Sequence, residues 1–205
     1  MNFSLKDNRI ILCGKTNSGK SVLLKHMLKK EKHKFHKIFV ISPTEQVLKF
    51  YSDIVPPNQI IHEYSDEWIT DLLKKLTAHK KNDDKKFNVL LILDDVGADA
   101  HNSKALNKVF TMGRHLGISI IITSQFINQL PLTSRTNASF VCCSQMNKAS
   151  IDILVDEYLM GPIEKKEFIK MYHDSTRDFN FFVICCNSVK DNEDLDQLYG
   201  TIRAN

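Results

Sequence analysis

No hydrophobic run in this chain approaches the roughly 20 residues that a helix needs to span a bilayer. The longest, such as 117–123 and 89–93, have the length of strands, which argues against a helical membrane segment. Low-complexity tracts and internal repeats are also missing, so neither a disordered linker nor a solenoid is indicated. The five cysteines include no C-x-x-C pair and no histidine at metal-ligand spacing. Cys13, Cys142, Cys143, Cys185 and Cys186 instead lie in or beside apolar runs and read as buried, reduced thiols that pack as small hydrophobes. Arginine is scarce, with only Arg9, Arg114, Arg135, Arg177 and Arg203, scattered without a lid-like cluster. The first eight residues are polar and lack the apolar stretch of a secretory signal, so a cytosol-like setting is expected.

What is present is an ordinary globular composition, 42% hydrophobic and 25% charged over 205 residues, the size of one domain. The net charge of +4 and the pI near 8.7 are compatible with a polyanionic partner without requiring one. Apolar runs of five to seven residues alternate with segments of helical period, the pattern of an α/β fold with a mostly parallel central sheet flanked by helices on both faces. Strands are expected at 9–13, 37–41, 59–62, 89–93, 118–123, 140–144 and 179–186, and helices at 20–30, 66–79, 103–114, 148–158 and 163–172. The core therefore runs over about 9–186, and the acidic, polar residues 187–205 read as a surface helix or tail. Two lysine-rich stretches, 29–37 and 80–86, fit solvated helix ends and loops, or nucleic-acid contacts.

Residues 14–21, Gly-Lys-Thr-Asn-Ser-Gly-Lys-Ser, satisfy G-x-x-x-x-G-K-[ST] in full, between an apolar strand and a helix. In that setting backbone N–H groups and a helix N-terminus converge on one anion site. Gly14 and Gly19 allow the chain to wrap closely around phosphate oxygens. Lys20 reaches the β and γ phosphates, and the Ser21 hydroxyl is a ligand for Mg²⁺. The ATP-binding segment is taken as Gly14, Lys15, Thr16, Asn17, Ser18, Gly19, Lys20, Ser21 and Val22.

The strand at 89–93 is apolar throughout, as a strand buried on both faces requires, and ends in Asp94-Asp95. Ligands of open α/β sheets bind at the C-terminal ends of strands, so these carboxylates are expected beside the nucleotide. Asp94 is assigned to the Mg²⁺ shell and Asp95 to orienting or deprotonating the attacking water. Acids that follow strands also serve as helix caps, a reading that stays open for Asp95 and Asp99. The strand at 118–123 leads to Ser124-Gln125. In P-loop NTPases of the RecA/ASCE type an extra strand lies between the P-loop strand and the carboxylate strand. That placement sets Gln125 near the γ-phosphate, unless it is an ordinary turn residue.

With Leu91-Ile92-Leu93-Asp94-Asp95-Val96-Gly97, then Gly113-Arg114-His115-Leu116 and Ser119-Ile120-Ile121, the chain resembles the poxvirus-type DNA-packaging ATPases of large double-stranded DNA viruses and their relatives in the FtsK/HerA superfamily. The resemblance runs from residue 9 to about 154, and its specificity rests on the Gly-Arg-His-Leu to Gln125 block. It implies ATP hydrolysis with Mg²⁺ that drives double-stranded DNA through a homo-oligomeric ring, a pentamer or hexamer, beside a capsid vertex or portal component. The setting it implies is host cytoplasm or the virion, with no membrane involved. By the same resemblance Arg114 is the arginine finger that one subunit lends to the next, an effect worth about 10³ to 10⁵ in rate; as a plain helix C-terminal cation it would need no neighbour. Arg135 is a second trans or phosphate-backbone residue, and Lys148 a possible DNA contact. One departure is Asp95 where such ATPases usually carry Glu. No nuclease domain is evident.

Two other classes fit parts of the pattern. Asp94-Asp95-Val96-Gly97 matches D-x-x-G and Asn147-Lys148-Ala149-Ser150 approaches the N-K-x-D of GTPase-like switches, but Ser150 cannot supply the two acceptors that guanine needs. A small P-loop kinase requires an acceptor pocket and usually an arginine-rich lid, for which five scattered arginines offer little support.

Overall fold

A computed structural model describes residues 3–44, 46–82, 87–96, 100–187 and 194–204. Its strands are β1 (Arg9–Cys13), β2 (Lys37–Ile41), β3 (Ile60–Ile61), β4 (Val89–Leu93), β5 (Ile118–Ser124), β6 (Phe140–Cys143), β7 (Asn180–Cys185) and β8 (Tyr199–Arg203). They form one sheet in the order β3-β2-β4-β5-β1-β6-β7-β8. The first six run parallel, and β7 and β8 add antiparallel to one edge. β5 thus separates β1 from β4, the extra-strand order expected from sequence.

Among the described residues the helices are α1 (Lys20–Glu31), α2 (Val47–Tyr51), α3 (Asp66–Asn82), α4 (Lys104–Met112), α5 (Leu132–Thr136), α6 (Lys148–Tyr158), α7 (Lys165–Ser175) and α8 (Leu195–Leu198). Side chains alternate across each strand, so the sheet has two apolar faces to cover. One face, carrying Ile11, Leu91, Ile120, Val141 and Phe182, packs on α3, α4, α6 and α7 through residues such as Leu72, Leu106, Leu154 and Phe168. The other, carrying Ile10, Leu12, Leu90, Ile92 and Ile121, packs on Leu23, Leu24 and Leu28 of α1 and on Val47 and Tyr51 of α2. All five residues of β4 are buried, and each such side chain stabilises the fold by about 1.5–3 kcal/mol relative to exposure.

Three differences from the sequence reading have local causes. The expected helix over 103–114 begins after Ser103, whose side chain accepts the Leu106 amide as an N-cap, and gives way at Gly113 to a 3₁₀ turn. Residues 199–203 form β8 rather than a helix or tail: Tyr199 enters one face of the core and Ile202 packs against the other, a pattern too short to stand out beside an acidic segment. Cys185 and Cys186 are only partly buried, although all five cysteines are free thiols. Asp99, Gly97 and parts of the second lysine-rich stretch and the acidic segment lie outside the described residues.

Candidate nucleotide-binding site

Parallel register sets the site. Cys13 of β1 is level with Ser124 of β5 and Cys143 of β6, and Leu93 of β4 is level with Ile122. The C-terminal ends of four adjacent strands therefore open on one edge, where the loops after them meet. The Gly14 amide donates to the Ser124 carbonyl (3.1 Å) and the Lys15 amide to the Gln145 carbonyl (3.1 Å). A Cβ on Gly14 would collide with the Ser144 side chain, so glycine is required for this approach. Asn17 and Gly19 take left-handed backbone, with φ of 60° and 90°, and so turn the loop into the first turn of α1.

Lys20, Ser21, Asp94, Asp95 and Gln125 all line a single cleft of about 310 Å³. Lys20 Nζ donates to the Gly14 carbonyl (2.6 Å) and the Lys15 carbonyl (2.9 Å), which leaves one of its three protons directed elsewhere. Burial pulls the Lys20 ammonium below its ordinary value, against the attraction of Asp95, Cys13 and Asp94. The carboxylate of Asp94 is held at both oxygens, by Thr123 Oγ1 (2.8 Å) and by Tyr51 OH (2.9 Å). Asp95 adopts φ 60° while its amide donates to Thr123 Oγ1 (2.9 Å). Gln125 bridges the two loops: its Oε1 accepts from Thr16 Oγ1 (3.0 Å) and its Nε2 donates to Asp95 Oδ2 (3.3 Å). The sequence-derived residues of the phosphate loop, the carboxylate pair and the sensor amide are therefore brought together.

The remaining sequence-derived residues lie elsewhere. Arg114 is exposed in the turn before β5, at the end of the strands opposite the phosphate loop. Seven strand residues separate the two ends, roughly 23 Å at about 3.3 Å per residue, so Arg114 does not reach this cleft. It sits near Arg9, whose guanidinium is lowered by burial and by Arg114 and donates to the Phe110 carbonyl (2.9 Å). Arg135 is largely covered and ion-paired with Glu157. Lys148 is exposed at the start of α6, three residues beyond the Gln145 carbonyl that holds the phosphate loop. The N-K-x-S run that approaches a guanine motif is a helix cap, in which Asn147 Oδ1 accepts the Ser150 amide (2.9 Å).

Two residues central to the cleft escaped sequence reasoning. Tyr51 sits on a five-residue helix too short for periodicity to announce it. Thr123 carried a signal, a hydroxyl that ends the Ile120-Ile121-Ile122 run just before Ser124-Gln125. The cysteine nearest the loop, Cys13, has its thiol pushed up to about 12 by burial, which fits a packing role.

The family described as Poxvirus A32 protein matches residues 2–200. Uncharacterized protein 075L of Invertebrate iridescent virus 6 is 31% identical over 189 residues, 90% of this chain and 72% of that protein. DNA packaging protein OPG160 of vaccinia virus is 29% identical over 141 residues, 65% of this chain, and the match spans 52% of the vaccinia protein's own length. Among solved structures, the genome packaging NTPase B204 of Sulfolobus turreted icosahedral virus 2 in complex with AMPPCP superposes with a TM-score of 0.67 at 18% identity, covering 98% of both chains. The conjugation coupling protein TcpA with ATPγS gives a TM-score of 0.65 at 15% identity, over 94% of this chain and 63% of that one. These likenesses identify the fold as that of the P-loop ATPases.

Proposed function

Because the chain belongs to the Poxvirus A32 protein family, we propose that it is an ATP-hydrolysing motor subunit that packages double-stranded viral DNA as a homo-oligomeric ring. The single observation that carries the reading is the shared cleft of Lys20, Ser21, Asp94, Asp95 and Gln125. It is supported by the names of relatives and structural neighbours, a DNA packaging protein and a genome packaging NTPase.

In this reading the amides of residues 14–21 and the start of α1 cradle the phosphates, and the free proton of Lys20 faces the β and γ oxygens. Mg²⁺ fits the donor set: Ser21 and Asp94 line the same cleft, and this ion is usually held by one or two carboxylates together with phosphate oxygens rather than by an all-protein cage. When bound, it neutralises the charge that develops between the β and γ phosphates. Tyr51 and Thr123 fix the Asp94 carboxylate so that its remaining lone pairs face the cleft. Asp95 accepts the proton of the attacking water, and Gln125, anchored to Thr16 and Asp95, keeps that water in line.

Arg114 cannot serve its own subunit, which favours a role at a neighbour's γ-phosphate and hence a ring. Arg135, ion-paired with Glu157, is offered as a second trans or phosphate-backbone residue, while Lys148 and the basic stretches are the residues offered to DNA. A capsid vertex or portal partner and a location in host cytoplasm or the virion follow from the packaging role, and among the described residues no helix is long and apolar enough to cross a membrane. The test is Mg²⁺-dependent ATP hydrolysis by the purified chain. Turnover that is lost in Asp94→Asn and in Asp95→Asn supports the reading, and no turnover in the wild type under any condition, DNA included, contradicts it.

A further inference from the structure

A second recess adjoins the other side of the phosphate loop, about 450 Å³ in volume and bounded by Gly19, Val22, Phe179 and Ala204. Its apolar wall is unusual for a surface. Phe179 is 60% exposed and Val22 47% exposed. The backbone of Asp178 and Phe179 is left-handed at both residues, with φ of 52° and 59°. For a bulky side chain this conformation is an outlier that costs free energy and persists only where the surroundings impose it.

Here the surroundings are β7 and β8. The Ala204 amide donates to the Phe179 carbonyl (3.1 Å), and the Asn180 amide to the Arg177 carbonyl (2.9 Å). The Asn180 side-chain amide also donates to the Arg177 carbonyl (2.7 Å). The result is an aromatic ring held out of the core and against the loop. Its Cδ1 lies 3.5 Å, and Ala204 Cβ 3.1 Å, from where a Cβ on Gly19 would stand, so the glycine also makes room for this wall.

Resting on the nucleotide reading above, we infer that Phe179, with Val22 and Ala204, is the nucleobase platform: the ring stacks on the face of the base while the loop holds the phosphates. The recess is apolar at Val22, Phe179 and Ala204, so this wall grips the base by its face. The strand β8 then has a functional task, that of pinning the backbone that presents the ring.

Titration calorimetry with ATP and with inorganic tripolyphosphate separates base binding from phosphate binding. Phe179→Ala is expected to weaken ATP by about tenfold or more, the scale of one lost base–aromatic stack, and to leave tripolyphosphate affinity unchanged. Phe179→Tyr should retain ATP affinity. Phe179→Gly, which suits left-handed backbone, should keep the melting temperature at or above that of the wild type and still lose ATP affinity. Unchanged ATP affinity in Phe179→Ala, or an equal loss for tripolyphosphate, would overturn the inference. A wild-type chain that binds tripolyphosphate and ATP equally would overturn it too, and one that binds neither would sink the nucleotide reading itself.

Discussion

Tyr51, fully buried under the sheet edge, donates its phenolic proton to Asp94 Oδ2 at 2.9 Å. Burial, and then the charge and hydrogen bond of Asp94, push this phenol well above its ordinary range, so it remains a donor at any working pH. Tyr51→Phe keeps the ring and removes the donor. Loss of such a supporting bond commonly costs about 10- to 100-fold in metal affinity or activity. The variant should therefore bind ATP normally but need more Mg²⁺ for half-maximal hydrolysis, and an unchanged Mg²⁺ titration would contradict the role given to Tyr51.

Lys20→Ala should abolish nucleotide binding or turnover, and near-normal hydrolysis would refute the phosphate-loop assignment. A finer test uses charge. Asp95 is among the groups that hold the Lys20 ammonium up against the effect of burial. Asp95→Asn removes that support, so Lys20 loses its proton at lower pH. The alkaline fall in ATP affinity should accordingly move to lower pH in Asp95→Asn, as measured by nucleotide binding across a pH series.

Arg114→Ala should leave ATP binding largely intact and remove turnover, because the residue lies at the end of β5 remote from its own cleft. Mixing Arg114→Ala with Asp95→Asn places an intact cleft beside an intact arginine in some subunit pairs. Partial recovery of hydrolysis at intermediate ratios is expected, and failure at every ratio would exclude a trans arginine.

At the other end of the molecule, Glu31 closes α1 against the N-terminal segment. It accepts from the Leu5 amide (2.9 Å) and Ser4 Oγ (3.0 Å) and pairs with Lys34 (3.1 Å). Burial alone would raise this carboxyl, but the Leu5, Lys34 and Ser4 contacts outweigh it and hold it below the usual carboxylate value. A depressed folded-state value means that the stabilisation is complete above the unfolded value and is lost as pH falls through the folded one. Glu31→Gln should cost about 1–3 kcal/mol at neutral pH and flatten the acid limb of melting temperature against pH. An acid limb as steep as that of the wild type would contradict the assignment.

Much of this was legible because the relevant signals are local. The apolar run of β4 ending in Asp94-Asp95, and the strand, glycine loop and helix around Lys20, each carry their own pattern, and strand order follows from the RecA/ASCE expectation. What was hidden depends on contacts distant in sequence. Tyr51 reaches Asp94 across 43 positions, the left-handed Phe179 is imposed by pairing with β8, and β8 itself alternates only weakly because it is an edge strand. The cap formed by Asn147 and Ser150 shows the reverse case, a local motif whose resemblance to a guanine signature dissolves once its partner atoms are seen.

Whether hydrolysis in this cleft serves movement along DNA is read from the ATPase rate with and without duplex DNA over a salt series. Stimulation by DNA should decline steeply as salt rises, because lysine and arginine contacts to phosphates release counterions, and should vanish in Lys20→Ala. A rate unaffected by DNA at every salt concentration would contradict a role in movement along DNA.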